Sequence, residues 1–178
     1  MSGELYDASD NHLLLNELDR CQEMCFEYNR LPPGKVGERM AHIRQLLGRT
    51  GQKFKIISPF LCDYGFNIEI GENFFANANM VILDEAKVTF GDNVFIGPNC
   101  GFYTAGHPLN VGLRNAGKQY AKPIVVGNNV WIGGNVCVMP GVRIGDNTVI
   151  AGGSVVVHDI PDGVLAAGNP CEVKSQIE

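Results

Sequence analysis

The sequence predicts a mainly β protein, a parallel β-helix of six-residue repeats, on three observations. Val126, Ile132, Val138, Ile144, Ile150 and Val156 fall six residues apart without interruption. Four residues after each stands Val130, Val136, Val142, Thr148, Ser154 or Ile160, a second column of small or β-branched side chains. Gly127, Gly133 and Gly145 directly follow the aliphatic position, where a tight corner with unusual dihedrals is expected, and Asn128-Asn129 and Asp146-Asn147 add turn chemistry. Each second-column residue precedes the next aliphatic one by two, which puts both on one face of a short strand. Three such strands and three corners make a coil of about 18 residues, and coils stack roughly 4.8 Å apart.

From the N-terminus, Leu13, Leu14, Leu18, Cys21, Cys25 and Tyr28 share one helical face that ends at Leu31-Pro32-Pro33-Gly34. Val36, Met40, Ile43 and Leu47 predict a second helix closing at Gly48. Residues 1–55 are thus a helical segment, expected to cover the open edge of the first coil. The repeats occupy 56–161, poorly patterned over 56–69. Ile70, Ala76, Ile82 and Val88 keep the period, and Phe90, Ile96 and Phe102 resume it after a two-residue slip that marks a bulge or widened corner. Phe102 and Val126 are four periods apart, so the frame survives a long excursion over 107–123. About five coils result, and each buried Val or Ile in a column contributes about 1.5–3 kcal/mol. The extension 162–178 begins extended, with Gly168-Asn169-Pro170 as a turn.

At 178 residues the chain suits one main domain with an appendage. A formal net charge of -5 argues against a surface built to neutralise many phosphates, so no nucleic-acid partner is expected. No apolar run approaches the ~18 residues that span a bilayer, so no membrane partner is expected either. Met1-Ser2-Gly3-Glu4 lacks the features of a secretory signal, and the expected location is cytoplasmic. The six cysteines form no C-x-x-C pair and have no histidine at zinc-finger spacing, so they are expected to be free, packed thiols. No metal is expected.

Five segments carry a family resemblance: Cys62-Asp63-Tyr64-Gly65, Asn73-Phe74-Phe75-Ala76-Asn77, Gly106-His107-Pro108, the run 127–133 (GNNVWIG) and Gly168-Asn169-Pro170. Together with the helical N-terminus they resemble the maltose and galactoside O-acetyltransferases over nearly the whole chain. The resemblance implies a left-handed helix, an exception to the right-handed rule for parallel crossovers. It implies a homotrimer with acceptor sites between subunits, acetyl-CoA as co-substrate, a small sugar acceptor, and His107 as catalytic base. A sugar hydroxyl is a poor nucleophile until a base takes its proton, and an ordinary imidazole titrates near neutrality, at about 6.5. The resemblance also implies transition-state stabilisation by Asn77, acceptor binding by Asp63 and Glu85, and a part for Asp10, which could instead cap the first helix.

The resemblance also implies a coenzyme site along the later coils, at Trp131, Gly134, Gly152, Val157 and His158, with Asn77 as a further coenzyme contact. Glu172 stands where relatives carry an arginine, leaving Lys174 as the nearest cation, so a strong phosphate clamp is not expected. Arg114, Lys118 and Lys122 lie in the excursion with Tyr120 between them, either as a functional loop or as a solvated one. Two rivals remain: transfer to another small acceptor, such as an antibiotic or serine, and a hexapeptide scaffold without catalysis.

Overall fold

The computed structural model describes residues 4–7 and 12–177. The repeats wind into a left-handed parallel β-helix with three walls. The first wall stacks Ile68–Glu69, Val88–Phe90, Ile124–Val126 and Arg143–Ile144. The second stacks Phe54–Ile56, Phe74–Ala76, Phe95–Ile96, Trp131–Ile132, Val149–Ile150 and Val164–Gly168. The third stacks Phe60–Cys62, Met80–Leu83, Gly101–Tyr103, Cys137–Val138 and Val155–Val156. With a sixth rung on the second wall, the solenoid makes about six turns.

Both columns point inward as the period requires. Val126, Ile132, Val138, Ile144, Ile150 and Val156 are buried, and so are Val130, Val136, Val142, Thr148, Ser154 and Ile160. The two hydroxyls in this apolar shaft are bonded to backbone: Thr148 Oγ1 donates to Pro161 O at 2.9 Å and Ser154 Oγ to Ala151 O at 2.6 Å. Wider coils near the N-terminus take larger fillers, and Phe74, Phe90 and Phe102 stack with ring centroids 5.0 to 5.2 Å apart. Ile160 departs from its expected column. It bridges to Ile144, 16 residues earlier, because the corner at 157–159 is short.

The corner glycines serve a different purpose from the one expected of them. Left-handed backbone falls on Asn73, Asn93, Asn129 and Asn147, with φ between 54° and 55°, rather than on Gly127, Gly133 or Gly145. Those glycines are needed because coils nearly touch at the corner: a methyl group on Gly127 would strike Asp146, and one on Gly133 would meet Gly152 N at 2.5 Å. The asparagines tolerate the left-handed region and join in a ladder of side-chain amides, Asn73 to Asn93 at 3.0 Å, Asn93 to Asn129 at 3.0 Å and Asn129 to Asn147 at 2.9 Å.

Helices α1 (His12–Arg30) and α2 (Val36–Leu46) close the first coil as expected. Asn29 replaces the missing neighbour of the third wall, its amide donating to Phe60 O and accepting from Phe60 N, both at 2.9 Å. Tyr28 Oη donates to Ile56 O at 2.5 Å, while the Arg39 guanidinium lies 4.3 Å above the Tyr28 ring and donates to Ser58 Oγ at 2.6 Å. The C-terminal strand Cys171–Gln176 folds back antiparallel on Val164–Gly168 and ends the stack. Among the described residues no helix is long and apolar enough to cross a membrane.

Candidate active site

The three corners differ in regularity. From first wall to second, and from second to third, every passage is a short turn. From third wall to first the chain spends residues 63–67, then 84–87, then 104–123 before narrowing to 139–142. Register shows the same thing: Phe54 lies beside Phe74, 20 residues on, and Val88 beside Ile124, 36 on, whereas Val125 lies beside Arg143, only 18 on. The slip read between Val88 and Phe90 belongs to this widened corner, since Val88 aligns with Ile68, and the slack falls at 84–87.

Asp63 and Glu85 meet on successive levels of that corner. Burial, then the charge of Glu85 and a hydrogen bond to it, push the Asp63 carboxyl up to about 7. Glu85 is raised by burial as well, so the pair holds a proton more readily than isolated carboxylates do. Thr104 Oγ1 stands 3.4 Å from Glu85 Oε2. Fully buried Asp84 braces the turn from below: its Oδ1 accepts from Asp63 N at 3.0 Å and Tyr64 N at 2.9 Å, and burial lifts it to about 6.

The excursion expected to lack regular structure has its own. Ala105–Gly106 pairs antiparallel with Lys118–Ala121, which pairs in turn with Tyr6–Asp7 at the N-terminus. Between them α3 (Val111–Asn115) is capped by Asn110 Oδ1, which accepts from Leu113 N at 3.0 Å. This small sheet lays Tyr6 over the carboxylates. Burial first, and Glu85 next, push the Tyr6 phenol up to about 12.

His107 follows the strand Ala105–Gly106 and is exposed, at the start of a loop that is itself largely exposed. Its Nδ1 lies 3.2 Å from Lys118 O. A carbonyl only accepts, so Nδ1 is the protonated nitrogen in this contact and Nε2 of the neutral ring is an acceptor. The loop cations do not converge: Lys118 pairs with Asp7 at 3.5 Å, Lys122 sits 5.9 Å from the Tyr120 ring centroid, and Arg114 reaches Leu109 O at 3.4 Å.

Asn77 lies at the other edge of the third wall, at the turn from the second. Its Oδ1 accepts from Ala78 N at 2.8 Å, which leaves Nδ2 as the donor end. Gly134 and Gly152 stack at this same corner, where Gly153 N donates to Gly134 O at 2.8 Å, and Trp131 projects beside them, 58% exposed. Val157 and His158 belong to the opposite, third-to-first corner. One chain therefore gathers Asp63, Glu85 and His107 at one corner, and Asn77, Trp131, Gly134 and Gly152 at another. Asp10 lies outside the described residues.

The chain has known relatives. Residues 1–51 match the maltose acetyltransferase hexapeptide capping motif, and residues 123–158 match the bacterial transferase hexapeptide with six repeats. A Saccharomyces cerevisiae protein assigned provisionally as an acetyltransferase is 55% identical, over 98% of this chain and 89% of its own. The galactoside O-acetyltransferase of Escherichia coli is 45% identical, over 89% of this chain and 78% of its own. A galactoside acetyltransferase solved with coenzyme A superposes with a TM-score of 0.96 at 42% identity, covering 99% of this chain and 88% of that one.

The chain belongs to the maltose and galactoside O-acetyltransferase family.

For this acetyltransferase, sequence reasoning missed Tyr6, Asp84 and Thr104. Tyr6 sits on a two-residue strand with no periodic signal, and Asp84 and Thr104 carry no motif of their own. Only the stacking of the wide corner puts them beside Asp63 and Glu85. Glu172, in place of the expected arginine, pairs with Lys174 at 3.3 Å, so the one nearby cation expected from the sequence is already engaged.

Proposed function

We propose that this acetyltransferase moves the acetyl group of acetyl-CoA directly to a sugar hydroxyl, with His107 as general base. The observation that carries the proposal is the His107 ring, at the same corner as the carboxylate pair and held through Nδ1 so that Nε2 is left as a proton acceptor. Nε2 takes the hydroxyl proton as the sugar oxygen attacks the thioester carbon. The tetrahedral oxyanion collapses, the carbon–sulfur bond breaks, and the leaving thiolate takes the proton back from the imidazolium. Asn77 Nδ2 donates to the oxyanion. Asp63 and Glu85, with Asp10, accept hydrogen bonds from the sugar's other hydroxyls, and Tyr6 closes the site above them.

Because His107 and Asn77 occupy opposite edges of the third wall, the reading needs two subunits. Outer faces support a homotrimer. The second wall turns Phe75, Phe95, Trp131 and Val149 outward, with Lys55 at its first rung, and the third turns out Leu61, Val81 and Val155, whereas the first presents Glu69, Thr89 and Arg143 with one apolar residue, Val125, among them. Leu109, 94% exposed at the tip of the excursion, is a further apolar contact for a neighbour. The coenzyme then runs in the seam past Trp131, Gly134 and Gly152 of one subunit to Val157 and His158 of the next. Coenzyme A in the galactoside acetyltransferase complex supports this choice of co-substrate.

Thiol release from acetyl-CoA, followed across maltose, glucose, galactosides, serine and chloramphenicol, tests the acceptor class. Release stimulated by sugars supports the proposal; stimulation by serine or chloramphenicol alone, or by nothing, sinks it. A monomeric mass by light scattering, with activity retained, sinks the shared site.

A further inference from the structure

Three thiols that the reaction does not use converge between the helical cap and the first coil. Cys21 and Cys25 are one helical turn apart on α1 and face Cys62 at the end of its strand. Cys21 Sγ lies 3.5 Å from Cys62 Sγ and Cys25 Sγ 3.7 Å from it, and all three sulfurs fall within 4.8 Å of one another. At 2%, 1% and 5% exposure, none faces water.

A zinc ion bound to sulfur at ~2.3 Å in tetrahedral geometry sets its ligands about 3.8 Å apart, close to both spacings. A disulfide would use two of these sulfurs and strand the third. A cation uses all three. Three thiolates around a divalent ion leave one net negative charge, and His42 of α2 packs against the helix that carries two of them, its Nε2 2.8 Å from Met24 O. Asp84 lies near the cluster as well. Its Oδ1 accepts from the N–H of Asp63, the residue after Cys62, at 3.0 Å, and its Oδ2 is the buried side-chain oxygen that lacks a hydrogen-bond partner among the described residues.

We propose that Cys21, Cys25 and Cys62 form a binding site for a thiophilic d10 cation of the zinc class, with Asp84 as the neighbouring carboxylate. Binding displaces the three thiol protons to solvent and forms three metal–sulfur bonds; no electron is transferred. The ion clamps α1 to the end of the first coil, one residue before Asp63. It therefore holds the turn that carries the acceptor-site carboxylate, without touching substrate. The ion enters while the cap is open, during folding, since the closed site has no exposed sulfur.

The test uses the full chain, unfolded and refolded under reducing conditions with zinc, then dialysed and assayed for metal by mass spectrometry. One zinc per chain is expected, with a rise in the thermal midpoint over protein refolded with chelator. Refolding with cadmium should produce a thiolate-to-metal absorption band in the ultraviolet. Cys25→Ser and Cys62→Ser should weaken metal retention by at least the roughly 10- to 100-fold that even outer-shell losses cost. Cys137→Ser, outside the cluster, should bind as the wild type does. Wild-type protein that retains no zinc and shows no cadmium band overturns the site, and so does equal retention by Cys25→Ser. A two-proton mass loss at Cys62 without metal would make it a disulfide site instead and would equally overturn the proposal. None of these readouts depends on acetyl transfer.

Discussion

The second-to-third corner and the third-to-first corner of this helix are made by the same chain under opposite constraints. At the first, Gly133 and Gly152 let successive coils approach so closely that a methyl group on Gly133 has no room. At the other, the chain widens on three consecutive levels, and there it places Asp63, Glu85, Thr104 and the excursion with His107. The difference teaches where irregularity is tolerated. A parallel stack needs each wall in register, but a corner can lengthen outward into solvent without disturbing the shaft, provided the chain returns on frame. The carboxylate pair and His107 collect at the corner that lengthens, whereas the corner that stays short keeps its coils in close contact and offers the flat surface of Gly134 and Gly152.

The largest expected effect separates the two outright. His107→Ala should lower turnover by roughly 10²- to 10⁴-fold with the thermal midpoint unchanged, because the ring lies outside the buried core and its loss opens no cavity there. Steady-state rates with melts of both proteins check this; a variant keeping more than about a tenth of wild-type turnover removes His107 from the role of base.

Gly133→Ala probes the tight corner and should do the reverse. Its new methyl group would meet Gly152 N at 2.5 Å, an overpacking that costs about 1–3 kcal/mol, so denaturant midpoints should drop and the KM for acetyl-CoA rise, since Gly152 lines the proposed coenzyme path, while turnover at saturating acetyl-CoA holds. Unchanged stability would show that coils separate at this corner more freely than the contacts indicate.

Asp63→Asn sharpens the contrast within the wide corner. Above pH about 7, the value to which Asp63 is pushed, this variant loses a charged acceptor for sugar hydroxyls, worth about 1.5–3 kcal/mol, and should raise the acceptor KM by roughly tenfold or more while leaving the KM for acetyl-CoA in place. Equal changes in both constants would mean that Asp63 organises the site rather than binding the acceptor.

The smallest effect belongs to the amide ladder of the first-to-second corner. Asn129→Ala removes two side-chain hydrogen bonds and leaves a left-handed backbone position to a less tolerant residue, so a loss of about 1–2 kcal/mol in unfolding free energy is expected, with kinetics unaltered. A loss of activity at equal stability would connect this corner to function and break the division of labour.

Much of this molecule is legible in its amino-acid sequence. The inward columns, both helices and the frame-preserving excursion follow from local periodicity, because a rung's two inward side chains are set by strand alternation within three residues. The family segments contain His107, Asn77 and Asp63, and the wider resemblance adds Glu85, but neither gives their grouping. Spacing alone assigns the glycines to unusual dihedrals, and the structure moves that role to the asparagines, since the glycine requirement comes from the neighbouring coil.

What the sequence by itself determined is whatever one coil decides for itself: which residues face in, where rungs begin, and that the chain must stack. What only the tertiary structure decided is which residues become neighbours along the stack. That depends on the summed lengths of all three corners, and two extra residues at one of them change every partner on the next level. The Asp63–Glu85 pair, the brace at Asp84, Tyr6 above them and the three thiols beneath the cap are all contacts of this second kind. No short window of sequence reveals these partners, because their proximity is produced by coil rise and register rather than by chain order.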